Sequence, residues 1–140
     1  MISGRLMAID YGEKRIGLAV SDALGIIATP HGFILRRAGK RAPLAEIIRR
    51  AEAAEASGFV VGLPLDENGG ETERSIEARR IAEELTRRTN LPAHLVDERF
   101  TTATALRAIR AMDGSTKGRK GDVDALAATI LLQHALSLPR

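Results

Sequence analysis

The sequence predicts a mixed α/β sheet, three antiparallel strands followed by two parallel ones, flanked by helices. Three observations point there. Two short apolar runs, Leu6-Met7-Ala8-Ile9 and Phe59-Val60-Val61-Gly62-Leu63, lack polar alternation and read as buried strands. A turn near Gly12-Glu13 joins the first run to Arg15 to Ser21, where Ile16, Leu18 and Val20 alternate with smaller residues as in a half-buried hairpin partner. From Leu44 onward helical and strand periods alternate, which makes the later strands parallel crossovers.

In chain order, the third strand is expected over Ile27 to Leu35, entered through Gly25. Its Pro30 fits an edge or a bulge better than a sheet centre. Leu44, Ile47, Ile48 and Ala51 fall at helical spacing ahead of the strand that ends at Pro64. Residues 71–88 carry Ile76, Ile81, Ala82 and Leu85 along one helix face, and Ala93-His94-Leu95-Val96 is a short fifth strand stopping at Asp97-Glu98-Arg99. Two helices close the chain. One runs from about Thr102 to Met112, with Ala105, Leu106, Ala108 and Ile109 inward. After a polar loop from Asp113 to Gly121, the other carries Val123, Leu126, Ala127, Ile130, Leu131 and Leu138 at amphipathic spacing.

At 140 residues the chain fits one domain, residues 1–140, large enough to bury about two-thirds of the surface its unfolded form exposes. Hydrophobic residues at 44% and charged ones at 28% are ordinary for a globular protein, and no apolar run approaches a membrane span. A soluble, cytoplasmic protein is expected: no signal-like succession opens the chain, and the absence of cysteine excludes disulfides and thiolate metal sites. The net charge of +3 is modest but unevenly spread. Arg36 to Arg50 and Arg99 to Lys120 are basic blocks, each with a single acid, and Asp66 to Glu84 between them is acidic. Such blocks suit a polyanionic substrate, although solvated helix faces have the same composition. Three Phe and one Tyr are too few for a base-stacking platform.

Asp10, Glu98 and Asp124 are far apart in sequence, yet each falls at an expected element boundary, where a polar group is presented on a rigid scaffold. Asp10 ends an apolar strand, and its bland alternative is a turn-forming Asp. Asp97 and Glu98 point to opposite sides of an extended segment, so only one faces any site. Asp122 is a plausible N-cap for the last helix, and Asp124 sits in its first turn beside the inward stripe. Oxygen ligands at three such points specify Mg²⁺ or Mn²⁺ rather than zinc. Two such ions about 4 Å apart perform phosphodiester hydrolysis.

Four segments together resemble one family. Asp10-Tyr11-Gly12-Glu13-Lys14-Arg15-Ile16-Gly17, Val61-Gly62-Leu63-Pro64-Leu65, Asp97-Glu98-Arg99-Phe100-Thr101-Thr102 and Lys120-Gly121-Asp122-Val123-Asp124-Ala125-Leu126-Ala127-Ala128 are similar, in order, to the YqgF/RuvX family. The resemblance implies an RNase H-like fold akin to the RuvC resolvases and a metal-dependent nuclease trimming the 5′ end of pre-16S rRNA. Carried over by position, it selects Glu98 over Asp97 and Asp124 over Asp122, so that Asp10, Glu98 and Asp124 are the catalytic metal ligands. Lys14, Arg15, Arg99 and Lys120, beside those ligands, are candidates for holding substrate phosphates. Gly12 and Gly17 are read as serving the turn, close packing or backbone approach to phosphate. His31, His94 and His134 receive no role. Phe100 stands where the family usually has Leu, and Asp66-Glu67 where Asn-Met is common; two acids there would repel a phosphate. The partner is then precursor rRNA or branched DNA, with no membrane, and a homodimer is compatible with the reading. Two other classes are a nucleic-acid-binding or assembly protein without turnover and an ATP-dependent actin-like switch. Against the switch, the chain has no room for a second lobe around a nucleotide.

Overall fold

The computed structural model describes residues 4–12, 14–36, 41–99, 101 and 120–138, with the side chains of residues 120–123 outside that description. In chain order the elements are β1 (Leu6–Tyr11), β2 (Arg15–Ser21), β3 (Ala28–Leu35), α1 (Leu44–Ala53), β4 (Gly58–Leu63), α2 (Glu73–Thr89), β5 (Ala93–Asp97) and α3 (Lys120–Ser137). The five strands form one sheet in the order β3-β2-β1-β4-β5. β1, β2 and β3 are antiparallel, while β4 runs parallel to β1 and β5 parallel to β4. This is the expected architecture. Pro30 lies on the edge strand β3, opposite Ala19 and next to a register shift, where its missing N–H costs no interior ladder bond.

Strand alternation divides the interior into two layers. Met7, Ile9 and Tyr11 of β1 join Ile16, Leu18, Phe59 and Val61 beneath α1 and α2. Leu6 and Ala8 join Ala19, Val60 and Val96 beneath Ala128, Leu131, Leu132 and Ala135 of α3. Helix α2 begins in a capping box: the Thr72 hydroxyl accepts from the Ser75 amide, and the Ser75 hydroxyl accepts from the Thr72 amide. It ends at Asn90, which adopts the left-handed conformation with φ 62°. At the far end of the sheet the Gln133 side chain ties α3 to the start of β3, accepting from the Ala28 amide and donating to the Ile26 carbonyl.

Several boundaries and faces differ from expectation. β1 continues through Tyr11, so Asp10 lies inside a strand, paired with Gly17, rather than past its end; the hairpin closes only at Gly12, whose amide donates to the Arg15 carbonyl. α3 begins at Lys120, which places Asp122 within the first turn instead of at the cap. Ile76 and Leu126, expected inward, are 51% and 45% exposed, and Leu138 is also exposed. In α3 the sheet is met by a narrow stripe of alanines and leucines, narrower than the sequence period alone implied. The helix expected near Thr102 to Met112 lies outside the described residues. Among the described residues no helix is long and apolar enough to cross a membrane.

Candidate active site

Asp10 is placed by register. On β1 it shares a face with Leu6 and Ala8, so it points toward α3, and its backbone pairs with Gly17 on one side while Ile9 pairs with Val61 on the other. It is only 3% exposed. A carboxylate that deep is expensive unless it is compensated.

Glu98 follows β5 directly. Its amide extends the ladder toward the Leu63 carbonyl at 3.5 Å, and its own carbonyl accepts from the Thr101 hydroxyl at 2.8 Å. The turn thus fixed carries the side chain over Gly62: a Cβ added there would stand 2.6 Å from Glu98 Oε2. Glu98 is 3% exposed. Because β4 neighbours β1, and adjacent strands lie about 4.8 Å apart, the carboxylate rests roughly one strand spacing from the Asp10 column.

Asp124 arrives from the opposite side. A Cβ added at Gly17 would lie 2.0 Å from the Asp124 carbonyl oxygen, so α3, with Asp124 one turn in from Lys120 rather than in the first turn expected, sits directly on β2 at the residue paired with Asp10. Only glycine allows this approach. Asp124 is 1% exposed, and its Oδ2 accepts a 2.8 Å charge-assisted hydrogen bond from Arg15 Nε. Arg15 and Gly17 are two apart on β2 and hence on one face, which aims the guanidinium at that turn.

Three buried acids from β1, the end of β5 and α3 therefore share one face and one edge of the sheet. Their donor set is all oxygen, which fits Mg²⁺ or Mn²⁺. Among the described residues no three His, Asp or Glu side chains converge closely enough to form a ready coordination shell. In this arrangement Asp124 is held by Arg15.

The neighbouring charges divide into structural and accessible ones. Asp97 points away from Glu98 and binds Arg99, with Asp97 Oδ2 2.8 Å from Arg99 Nη2; that hydrogen bond holds the Asp97 carboxyl below the usual range. Arg99 also reaches the Glu67 carbonyl at 3.4 Å, joining the end of β5 to the loop after β4. Asp66 forms that loop, its Oδ1 accepting from the amides of Asn68 and Gly70. Lys14 is exposed at the hairpin turn. The side chains of Lys120 and Asp122 lie outside the described residues.

Two arginines not singled out from the sequence buttress the site from behind. Arg74 donates to the Tyr11 carbonyl at 2.8 Å. Arg36 donates to the Gly12 carbonyl at 3.3 Å and lies 4.4 Å over the Tyr11 ring. Burial pushes the Tyr11 hydroxyl up to about 12, with Arg36 opposing and Glu77 reinforcing the shift. Arg74 lies in the block read as acidic, and no local pattern signals its reach to β1.

The family model described as "RuvX: Holliday junction resolvase" matches residues 4–138. A protein of Koribacter versatilis (strain Ellin345) named "Putative pre-16S rRNA nuclease" is 42% identical over 135 residues, covering 96% of this chain and 88% of the relative. One of the same name from Rickettsia bellii (strain OSU 85-389) is 40% identical over 132 residues, covering 94% and 85%. Among solved structures, T. thermophilus RuvC in complex with Holliday junction substrate superposes with a TM-score of 0.55 at 15% identity, covering 95% of this chain and 93% of that one, a likeness of fold. The expected resemblance and fold are both borne out, and the chain belongs to the RuvX family of nucleases.

Proposed function

We propose that this chain is a divalent-metal-dependent nuclease that acts on structured RNA, processing the 5′ end of pre-16S rRNA, and that it works as a single domain in the cytoplasm. The observation that carries this reading is the gathering of Asp10, Glu98 and Asp124 on one buried sheet face. The relatives' names supply the substrate.

Asp10, on the strand between those that carry Glu98 and Asp124's contact at Gly17, would hold the ion together with Glu98 and Asp124. A divalent ion such as Mg²⁺ or Mn²⁺ held there would supply Lewis acidity toward water and the phosphodiester. The chain's own groups do the rest. β1 carries Asp10 and the turn after β5 carries Glu98, and the arginines on the Tyr11 and Gly12 carbonyls fix the strand end that carries Asp10. Exposed Lys14 is placed to attract the polyanion. Arg99 and Lys120 are further candidates for phosphate contact, with Arg99 already committed to Asp97.

The family description favours branched DNA as a second substrate. One assay separates the readings: precursor rRNA and a four-way DNA junction offered side by side with Mg²⁺ or Mn²⁺, with Asp10→Asn as control. Cleavage of the RNA that disappears in the variant supports the proposal. Preferred cleavage of the junction replaces RNA with DNA as substrate, and binding without cleavage of either makes the protein an assembly factor.

A further inference from the structure

The contact between Arg15 and Asp124 places a guanidinium where a metal ligand is needed. Asp124 is 1% exposed and Arg15 17%, so the pair is largely shielded from water, where charge-assisted bonds are strongest. The Arg15 Nε proton occupies Asp124 Oδ2 at 2.8 Å. A divalent ion drawing on that oxygen would face a fixed positive charge within one hydrogen-bond length of its ligand. At such a separation two cations on one carboxylate repel strongly in a poorly solvated site.

We propose that Arg15 is an exchangeable counter-ion: it neutralises Asp124 in the metal-free protein and yields that carboxylate to a divalent ion. Arg15 thereby sets the metal concentration at which the site assembles. The inference rests on the metal-dependent reading above. It assigns Arg15 a first role toward Asp124 rather than toward phosphate.

Linkage makes the exchange measurable without any substrate. Whatever Arg15 contributes to the metal-free fold must be given up when metal binds, so the same free energy appears once as stability and once as weakened metal affinity. Mn²⁺ binding to wild type and Arg15→Gln is measured by isothermal titration, and thermal melts are recorded with and without saturating Mn²⁺. Arg15→Gln is expected to bind Mn²⁺ at least about tenfold more tightly, equivalent to about 1.4 kcal/mol. It should melt below wild type without metal, and the gap should close when Mn²⁺ saturates both. Arg15→Lys, which keeps a charge but loses the planar fork, should move several-fold in the same direction and serves if the Gln variant does not fold. Equal or weaker Mn²⁺ binding in the variants, or a melting gap that persists with Mn²⁺, overturns the exchange and leaves Arg15 a permanent structural partner. Absence of Mn²⁺ binding in wild type and variants alike overturns the metal-dependent reading, and the exchange with it.

Discussion

The two faces of this one sheet are built from the same strands by opposite rules. Toward α1 and α2 they present Ile9, Ile16, Leu18, Phe59 and Val61, closed over by Ile47, Ile81 and Leu85. Toward α3 they present Leu6, Ala8, Ala19 and Val60, with Gly17 and Gly62 bare, closed over mainly by alanines and leucines. The first face is filled by volume. The second is thinned so that a helix backbone and three carboxylates can come close. Adjacent residues consequently face opposite ways: Ile9 packs beneath α1 and α2 while Asp10 turns its carboxylate toward α3, and Asp97 ties down Arg99 while Glu98 turns inward. A period of two lets one strand serve both stability and chemistry without compromise at either position.

The largest expected effect breaks the filled face. Phe59→Ala removes a fully buried ring from beneath α1 and α2 and should cost about 3–5 kcal/mol, read by urea or thermal melts, while the protein that remains folded keeps its cleavage rate. A stability loss under about 1 kcal/mol would mean that this face is not the store of stability it looks to be. Asp10→Asn should do the reverse. The change keeps shape and relieves repulsion among buried carboxylates, so metal-free stability should equal or exceed that of wild type. On the proposed metal-dependent reading, cleavage should fall at least about a hundredfold, because Asp10 has lost the charge that would hold the ion. Wild-type cleavage by the purified variant would remove Asp10 from the site.

How much of this was readable beforehand follows the same division. The strands and their order come from apolar runs and glycine turns, which are local signals, and they emerged as read apart from boundaries at Tyr11 and Lys120. Asp10, Glu98 and Asp124 were picked out because acids at expected strand ends and helix starts stand out against apolar neighbours, with the resemblance choosing among adjacent acids; the structure buries all three, Asp10 within its strand rather than past its end. The contacts that define the site were not legible. Arg15 reaching Asp124 and Arg74 reaching the Tyr11 carbonyl span separations of 109 and 63 residues, and a basic residue near an acid in sequence says nothing about which distant acid it will meet. The exposure of Ile76 and Leu126 was missed for a related reason: helical period names a stripe, but the width of the stripe depends on what packs against it.

Two alanine substitutions on the thinned face sharpen the comparison, since each adds one methyl group in a different kind of space. At Gly17 the new Cβ would meet the Asp124 backbone, which yields only if α3 shifts, so a loss of about 1–3 kcal/mol is expected together with a collapse of activity. At Gly62 it would meet the end of the Glu98 side chain and Leu131 Cδ2, both able to move. Gly62→Ala should therefore cost less stability than Gly17→Ala while still displacing the Glu98 carboxylate and lowering the cleavage rate. Melts and single-turnover rates for the pair test this. Equal stability losses would place the resistance in the strands rather than in the helix that leans on them.

The smallest effect lies one residue from Asp10 on the filled face. Tyr11 has a phenol raised from 10.0 to about 12, chiefly by burial, with the Arg36 guanidinium over its ring pulling the other way and Glu77 adding to the rise. A group whose folded value is raised favours its protonated form in the fold. Its contribution is complete below pH 10, and it drains away as the pH climbs toward 12, because the unfolded chain releases the proton first. Tyr11→Phe keeps the ring, the packing and the cation above it but cannot titrate. At neutral pH its stability and cleavage should stay near wild type, and between pH 10 and 12 its stability should fall less steeply than wild type's. Urea melts of both proteins across that interval provide the test. Parallel declines would show that the folded protein releases the Tyr11 proton as readily as the unfolded chain, and the filled face would then be more open beside Asp10 than its packing implies.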